Sequence, residues 1–594
     1  MIETLKTLRK KYGVRILIVI LSMLFLCTFI SRKEGFHMDE ILAFQLANAE
    51  YNPWIVPTQP VGRLAKFMTE HIDGEKPGET ASNIMFIVKD TLTNRGSSIL
   101  ANYKADVYEA PVWISRDMFQ AYVQCDSGDD YNLLSVYFNV KDDNHPPLHF
   151  MMLHLMTSLF KGEISVWHGC IINMVAMAGT LWLLGLIGDI VFKKKSSTLA
   201  LMIFYGFSMG IVATTIWIRM YALLTLWTVW GLYLHLRKYS CVEQDSFVRM
   251  NGKKGKAKWI GSVGLVIVTV VSFWTQYFGL FFILPLALVT VILLAKDKRM
   301  QELWAYIRTM VTAAVIGVCV YPFAIGDVLF SDRGTEALSQ WQNGVAEYIG
   351  RLAAFGNILA ENVAGGVVAF LLAVLVPAVC ICVKFFKVKK ASGSIPAKTA
   401  WWQLVMCGVP TLVYFLLASK MSPYFVDRYI MAIFPVTALV VVWIWDRASD
   451  LFAKEKQYAG ICIAMAVLFV VWQGMDMSGN HAYLYTGYDE QLAVAEAYAE
   501  YPMVCLYPGY SFYENVMEME QYQQTMLVKS EELASMDESR TEVTAEGYVA
   551  LIKYPGEESG QTQLEQVMQV FGGWEAQLLY EGGAFGDVIY LITP

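Results

Sequence analysis

Long apolar windows alternate with short polar connections along most of this chain. A helix that crosses a bilayer needs roughly 20 mostly apolar residues, and the first such window runs from Ile16 to Ile30. The later windows cover approximately 166–192, 199–216, 220–236, 259–275, 278–295, 305–324, 363–386, 402–418, 424–445 and 458–473. The pattern predicts a polytopic α-helical membrane protein with about eleven transmembrane helices.

Basic residues mark every second connection between these windows. If the N-terminus is cytoplasmic, the cytoplasmic connections are 193–195, 237–258, 296–299, 384–398 and 447–456, and each is basic. The opposite connections, around 217, 276, 327–361 and 420–428, hold far fewer cations. Cytoplasmic loops of membrane proteins are enriched in Lys and Arg. We therefore predict a multi-pass cell-membrane protein with a cytoplasmic N-terminus, a retained first helix as anchor and an extracytoplasmic C-terminus.

A polar segment from Ser31 to Glu163 is too long to be a simple connector, and loops of this length usually carry function. Within it, residues 39–50 have apolar side chains at helical spacing. This spacing predicts an amphipathic helix that lies with one face on the membrane surface. Leu148 to Phe160 is interpreted in the same way, with part of a spanning helix as the alternative.

The last 119 or so residues lose the long apolar windows and show short strand-like runs instead. The predicted strands are Met503 to Leu506, Thr525 to Val528, Tyr548 to Lys553, Gln577 to Tyr580 and Val588 to Ile592. Helical spacing occurs over 511–522 and 563–571 between them, which indicates a small α/β domain outside the membrane. The expected domains are therefore 1–475, including the first outer loop 31–165, and 476–594.

The amino-acid composition supports insertion of the chain into a membrane. The chain is 56% hydrophobic and 17% charged, which is a poor match to a water-exposed surface. Its net charge of −7 says little about partners, and no nucleic-acid partner is expected. Most of the ten cysteines fall in apolar windows, where cysteine behaves as a small hydrophobe. Cys125 and Cys505 are both predicted to lie outside, so a disulfide between them is an open alternative.

Two adjacent acids, Asp39 and Glu40, follow the first window directly. Adjacent acids at a helix start often do no more than cap the helix and complement its dipole. A carboxylate at the membrane face is also partly desolvated, which raises its pKa and makes it a better base. Such a group can accept the proton of an attacking hydroxyl.

A second polar cluster, Asp142, Asp143 and His145, ends the same outer segment just before Pro146 and Pro147. The prolines can simply start the next helix, because proline suits the first helical turn. The acids and the histidine can also act in the site, and Asp143 with His145 are possible ligands for a divalent metal ion.

Five short motifs in order resemble the GT-C membrane glycosyltransferases, and more narrowly glycosyltransferase family 39, which includes the protein O-mannosyltransferases and the aminoarabinose transferases. They are the Asp39-Glu40 pair, Asp142-x-x-His145-Pro-Pro-Leu, Arg219-Met-Tyr221-Ala-Leu-Leu, Thr275-Gln-Tyr-Phe278 and Ser422-Pro-x-x-x-x-Arg428-Tyr429. The resemblance covers roughly residues 14 to 445. It implies a GT-C-like fold, a sugar donor carried on a polyprenyl phosphate and an acceptor that enters from outside.

The resemblance also implies roles for residues. Asp39 is expected to be the catalytic base with Glu40 as its partner. Arg219 and Arg428 are expected to bind the donor phosphate, since a guanidinium stays charged and binds oxygens in a bidentate manner.

Tyr221 and Tyr429 of the same motifs are assigned to the donor site with these arginines. Snorkelling to the membrane interface is the alternative for both arginines. Two positions depart from the family pattern: Trp217 stands where an acid is frequent, and Gln276 stands where a histidine is frequent.

The sequence thus predicts a glycosyltransferase that works with a polyprenyl-phosphate sugar, membrane lipids and an extracytoplasmic acceptor. The rival interpretation is a transporter or lipid flippase without transferase activity. In such proteins charged residues and broken helices occur at mid-membrane, whereas the ionisable residues here gather at the ends of the apolar windows.

Overall fold

The computed structural model describes residues 2–49, 77–94, 111–125, 128–140, 143, 145–192, 194–248, 255–329, 339–342, 344–392, 401–449, 455–476, 482–536, 546–554, 559–573 and 575–594. The chain divides into two compact units. The helical unit comprises Met1–Ser31, Cys170–Ala324 and Thr335–His481, and the sheet unit comprises Arg32–Gly169, Ile325–Gly334 and Ala482–Pro594. This division differs from the expected one, because the first outer segment groups with the C-terminal region.

The first apolar window forms one long helix, and most of the later windows form helices of the helical unit. The α-helices are Ile2–Ile30, Val166–Val191, Lys195–Gly206, Met209–Ile216, Tyr221–Val248, Gly255–Phe273, Leu280–Lys296, Met300–Val320, Ala324–Leu329, Val345–Ala364, Val367–Ser392, Trp401–Met421, Phe434–Ser449 and Glu455–Asp476. Short 3-10 turns lie at Tyr277–Gly279, Gln340–Gln342, Asp427–Tyr429 and Met431–Ile433. Arg15 of the first helix pairs with Asp189, which ties that helix to the rest of the unit.

Six helices among the described residues are long and apolar enough to cross a membrane, or up to eight if each of two bent pairs is one span. The six are Tyr12–Ile30, Val166–Val191, Tyr277–Lys296, Met300–Val320, Trp401–Met421 and Met431–Ser449. The prediction of a polytopic helical membrane protein is confirmed. The number of eleven spans stays a prediction.

Two pairs of helices are bent at a short break, and the first of these breaks divides the predicted window 199–216. Lys195–Gly206 and Met209–Ile216 are bent by 51°, and Val345–Ala364 and Val367–Val383 by 78°. Gly365 and Gly366 lie at the second bend with φ of +77° and +121°, values that side chains other than glycine rarely adopt. Helix Val345–Ala364 falls in the predicted connection 327–361, because its charged residues interrupt the apolar window.

A six-stranded sheet forms the centre of the sheet unit. Its strands are β1 (Val112–Ser115), β2 (Met503–Tyr507), β3 (Gln524–Lys529), β4 (Tyr548–Ile552), β5 (Glu575–Gly582) and β6 (Asp587–Thr593), in the order β1-β3-β2-β4-β6-β5. Strand β2 is parallel to β3 and β4, and the other pairs are antiparallel. The predicted C-terminal α/β region is confirmed. Strand β1, which the sequence did not predict, comes from the first outer segment.

Helices make up the rest of the sheet unit, and that of Ser559–Phe571 packs against β4. The α-helices are Met38–Asn48, Pro77–Asn94, Arg116–Val123, Leu133–Asn139, Leu148–Leu159, Tyr488–Ala497, Val516–Met519 and Ser559–Phe571, with 3-10 turns at Ala482–Leu484, Ser511–Asn515 and Leu533–Ser535. Strands β2 and β4 are fully buried. Val567 and Phe571 of helix Ser559–Phe571 pack with side chains of β2 and β4 in one apolar core. Burial of apolar surface stabilises the folded state by about 25 cal/mol per Å².

Helix Met38–Asn48 is where the surface-helix prediction was wrong. Its residues from Glu40 to Asn48 are buried except Leu42, so no broad face is left for a membrane surface. Helix Leu148–Leu159 packs against it, and Asn48 lies within 2.7 Å of the Thr157 hydroxyl of that helix. At 12 residues, Leu148–Leu159 is also too short to span.

Cys125 and Cys505 are both buried in the sheet unit and are not joined by a disulfide in this structure. Burial raises the pKa of both thiols, that of Cys125 further through Asp130 and Asp129 nearby. A thiol kept protonated in this way reacts slowly.

Candidate functional site

The Asp39 turn, residues Lys33 to Glu40, ends in a reciprocal helix cap. His37 precedes helix Met38–Asn48, and its Nδ1 accepts a hydrogen bond from the Asp39 backbone N–H at 3.1 Å. In return, Glu40 Oε2 accepts from the His37 backbone N–H at 2.8 Å. Because Nδ1 is an acceptor, the ring proton of a neutral His37 lies on Nε2. The cap fixes the helix start that carries both acids.

Glu40 is fully buried and paired. Lys33 Nζ lies 3.0 Å from Glu40 Oε2, and both side chains are 0% exposed. A buried carboxylate next to a buried ammonium is neutralised, and removing either partner would leave an uncompensated charge. The geometry therefore gives Glu40 a structural task at this turn.

Asp39 differs from its neighbour in access to solvent. Its side chain is 28% exposed, and its Oδ2 lies 3.6 Å from His37 Nδ1. Of the two acids, Asp39 is thus the one that a substrate hydroxyl can reach. A carboxylate on a fixed helix start, beside an imidazole, can accept a proton from such a hydroxyl.

The second polar cluster is only partly described. Asp143 Oδ2 and His145 Nδ1 lie 3.0 Å apart, both partly buried, and Pro147 precedes helix Leu148–Leu159 as expected for a helix start. Asp142 lies outside the described residues. Among the residues that the structure describes, no group of three or more His, Cys, Asp or Glu side chains is arranged to hold a metal ion.

Arg428, in the helical unit, lies against aromatic rings. Its guanidinium carbon is 5.5 Å from the centre of the Trp217 ring and 5.6 Å from that of Tyr429. Trp217 is 1% exposed, so its ring is a fixed surface. The faces of these rings attract the cation, which helps to hold the guanidinium in place.

Three of the sequence motifs meet around this arginine. Tyr429 stacks near Phe278, with ring centres 5.6 Å apart, and Tyr414 donates to the Tyr429 carbonyl at 3.0 Å. Trp217, whose ring contacts Arg428, lies two residues before Arg219 in the chain. The backbone N–H of Arg219 donates to the Trp217 carbonyl at 2.8 Å. The motifs that begin at Arg219, Thr275 and Ser422 therefore come together in one unit.

Arg219 and Tyr221 are almost completely buried, at 6% and 5% exposure. A buried arginine needs several hydrogen-bond acceptors, so burial makes simple snorkelling to the interface a poor description of Arg219. Gln276 is also buried, and its Oε1 accepts from the Tyr277 backbone N–H at 2.7 Å as the cap of a 3-10 turn. Gln276, which stands where a histidine is frequent in the family that the sequence resembles, therefore has a local structural role.

Sequence reasoning missed Arg351. It lies on the unpredicted helix Val345–Ala364, is 4% exposed, and donates from Nε to the Ser419 carbonyl at 2.8 Å and from Nη2 to the Ser422 carbonyl. Its guanidinium also covers the Phe425 ring at 4.9 Å. Arg351 thereby binds the C-terminal end of helix Trp401–Met421 and the start of the loop that carries Arg428. The feature of the sequence that could have pointed to Arg351 is its position between apolar residues, where an arginine needs hydrogen-bond acceptors.

The structure thus assembles the predicted residues in two groups. Asp39, Glu40, Asp143 and His145 belong to the sheet unit, and the donor-site residues belong to the helical unit. Within the helical unit, Arg428 and Tyr429 are in contact with each other.

Comparison with known proteins finds similar solved structures, two of which are of the same protein. No family model matches the sequence, and no curated protein sequence matches it. A crystal structure of ArnT from Cupriavidus metallidurans in the apo state is 13% identical, covers 80% of this chain and 91% of its own, and has a TM-score of 0.46. The crystal structure of the same protein bound to undecaprenyl phosphate is 12% identical, covers 75% of this chain and 88% of its own, and has a TM-score of 0.44.

Proposed function

We propose that this protein is a GT-C glycosyltransferase of family 39 that moves a sugar from a polyprenyl-phosphate donor to an extracytoplasmic hydroxyl on a protein, a lipid or a cell-envelope glycan. One observation carries the proposal: of two adjacent carboxylates, Glu40 is sealed against Lys33 while Asp39 stays 28% exposed beside His37. An accessible carboxylate at a fixed helix start is what a general base requires.

In the proposed reaction Asp39 takes the proton of the acceptor hydroxyl. The acceptor oxygen then bonds to the anomeric carbon of the sugar, and the bond from that carbon to the phosphate oxygen breaks. The polyprenyl phosphate leaves, and the electron pair of the broken bond stays on its phosphate oxygen. Attack opposite to the leaving group inverts the configuration at the anomeric carbon.

Arg428 and Arg219 are proposed to hold the donor phosphate, with Tyr429 and Tyr221 beside them. The support is the aromatic surface under Arg428 and the convergence of three motifs on it. A guanidinium in a site screened from water stabilises the negative charge that develops on the leaving phosphate.

A divalent ion at Asp143 and His145 stays a prediction. These two side chains offer two of the six or more oxygen or nitrogen ligands that Mg²⁺ and Ca²⁺ usually take, so no step of the proposed reaction passes through a metal. Asp143 and His145 are instead proposed to orient the acceptor hydroxyl by hydrogen bonding.

The test is a transfer assay with purified protein, labelled polyprenyl-phosphate sugars and a panel of hydroxyl acceptors. Wild type should form a glycosylated product, and Asp39→Asn should lower its rate by about 10²- to 10⁴-fold, the usual contribution of a general base. Asp117→Asn is the matched control, because Asp117 is an exposed acid in the first turn of another helix of the same unit. Movement of the labelled lipid across a vesicle membrane with no product would support the transporter interpretation instead.

A further inference from the structure

The Asp39 turn is held by contacts with a distant segment of the chain as well as by its own helix. Lys33 Nζ, which pairs with Glu40, also donates to the backbone carbonyl of Tyr483 at 2.9 Å. The Glu34 backbone N–H donates to the Leu484 carbonyl at 2.9 Å, and Glu34 Oε2 accepts from the Gly487 N–H at 2.5 Å. Three hydrogen bonds therefore join the turn to residues about 450 positions later in the chain.

The tyrosine segment, Tyr483 to Tyr488, packs on the turn as well as bonding to it. Lys33 Nζ lies 4.6 Å from the centre of the Tyr485 ring, and the His37 ring is 6.5 Å from the same ring. A Cβ added to Gly35 would lie 3.1 Å from Tyr485 Cβ and 3.1 Å from Tyr488 Cγ. The backbone of the turn thus touches the segment at a position where a side chain would be crowded.

The tyrosine segment has a specific backbone shape. Tyr485 adopts a φ of +52° and Gly487 a φ of +95°, and the left-handed region is uncommon for a residue with a large side chain. Contacts within the sheet unit hold Tyr485 there: its ring stacks on Phe585 with centres 5.3 Å apart, and Phe585 is covered by Lys553 at 5.1 Å.

Tyr580 completes the support by donating to the Gly487 carbonyl at 3.0 Å. Residues that fix an unusual backbone conformation next to a candidate site are often part of its pre-organisation.

We propose that Tyr485 is a positioning residue for Asp39 and that the tyrosine segment makes the C-terminal region an integral part of the transfer site; this inference rests on the proposed function. Tyr485 closes the Lys33–Glu40 pair from one side and faces His37, the residue that caps the helix at Asp39. Removing its ring lets water reach the pair and loosens the turn. Asp39 then samples positions away from the acceptor hydroxyl.

The experiment compares wild type, Tyr485→Phe and Tyr485→Ala in the full-length protein. Hydrogen exchange of the backbone amides of residues 33–41 is measured by mass spectrometry, together with kcat and the KM for donor. Tyr485→Phe keeps the ring and should match wild type in both. Tyr485→Ala should exchange faster over 33–41 and lose about tenfold or more in kcat with an unchanged donor KM, since a misplacement of about 1 Å can cost 10²-fold in rate.

Tyr510→Ala is the control, because Tyr510 is a tyrosine of the same unit that is 48% exposed; it should leave both measurements unchanged. Gly35→Ala disturbs the same contact from the opposite side and should reproduce the faster exchange in 33–41 and the lower kcat if Tyr485→Ala fails to fold. Unchanged exchange over 33–41 in Tyr485→Ala, or equal loss of kcat in the Phe and Ala variants, would overturn the proposal.

Failure of the positioning role is distinguishable from failure of the proposed function. If wild type transfers sugar and Asp39→Asn does not, but Tyr485→Ala is as active as wild type, the positioning role alone is wrong. If wild type forms no product while exchange over 33–41 still rises in Tyr485→Ala, the contact exists but the transferase proposal and the catalytic role of Tyr485 are both wrong.

Discussion

The Asp39 turn and the Arg428 loop are held in place by different kinds of interaction. The Asp39 turn depends on a fully buried ion pair, Lys33 with Glu40, and on hydrogen bonds to a distant segment. The Arg428 loop depends on aromatic surfaces and on an arginine, Arg351, that binds backbone carbonyls.

The difference fits the two proposed tasks. Near the proposed base, the Glu40 carboxylate is neutralised by Lys33, so that Asp39 is the accessible acid of the pair. Near the proposed donor site, aromatic rings stabilise the cation of Arg428. Substitutions that remove one kind of support should therefore affect one region and spare the other.

The largest effect is expected from Lys33→Met. The substitution leaves the Glu40 carboxyl buried without the Lys33 charge, which should destabilise the protein by about 3–5 kcal/mol. Thermal unfolding in detergent, followed by tryptophan fluorescence, measures the loss. Lys33→Met combined with Glu40→Leu should recover most of it, because both charges are then gone. Equal melting of the single variant and wild type would show that the ion pair does not hold the Asp39 turn.

A smaller effect is expected from Arg351→Met. The carbonyls of Ser419 and Ser422 lose a buried donor, which should cost about 1–3 kcal/mol. The loop before Arg428 should loosen, so that the KM for donor rises while the rate of Asp39 chemistry at saturation changes little. Glu347→Gln, an exposed position on the same helix, is the control. A normal donor KM in Arg351→Met would separate Arg351 from the donor site.

Substitution of Trp217 should have a smaller effect, which tests the aromatic surface under Arg428. Trp217→Leu removes the face under Arg428 and should weaken donor binding by about 0.5–2 kcal/mol, seen as a several-fold rise in donor KM. Trp217→Phe, which also reduces the volume of the side chain, keeps a ring and should raise KM less. If the two variants behave alike, volume and not the cation–ring contact determines the effect.

The smallest effect concerns a buried carboxyl of the sheet unit, Glu518. The pKa of Glu518 is raised to about 8, chiefly by burial and also by the nearby Asp587, against hydrogen bonds from Asn515 and Gln491 that lower it. A carboxyl with a raised pKa in the folded state contributes stability that is present below its unfolded pKa and is lost as the pH rises towards 8.

Glu518→Gln should therefore reduce the fall in melting temperature between pH 6 and pH 9 by a few degrees or so. Part of the fall should persist, since burial also raises the pKa of Glu520 to about 8, with Glu163 adding to the shift. Glu514 and Lys553 face the same cluster and keep their contacts in this variant. An identical pH dependence in the variant and wild type would contradict the raised pKa of Glu518.

What the sequence could predict was mostly local. The apolar windows became helices and the five C-terminal strand-like runs became strands, because period and length act within a few turns of chain. The Asp39-Glu40 start of a helix was also predictable from the two acids and the apolar spacing that follows.

Features that depend on distant residues could not be predicted. Strand β1 pairs with β3, and Val112 faces Leu527 across 415 or so positions, which no local pattern reveals. The burial of helix Met38–Asn48 has the same origin, since its apolar spacing is equally compatible with a membrane surface and a protein interior. The contacts of Lys33 with Glu40 and Tyr483 could not be predicted either. A lysine that follows an apolar window usually marks the end of a membrane-spanning helix.

The most direct test of the central claim is the single-turnover rate of Asp39→Asn at saturating donor and acceptor, with undecaprenyl phosphate carrying a labelled sugar as the first donor. Saturation removes any effect on binding, so the rate reports the proton transfer assigned to Asp39. The proposed function predicts a fall of about 10²- to 10⁴-fold with donor binding unchanged. A rate equal to that of wild type would contradict it.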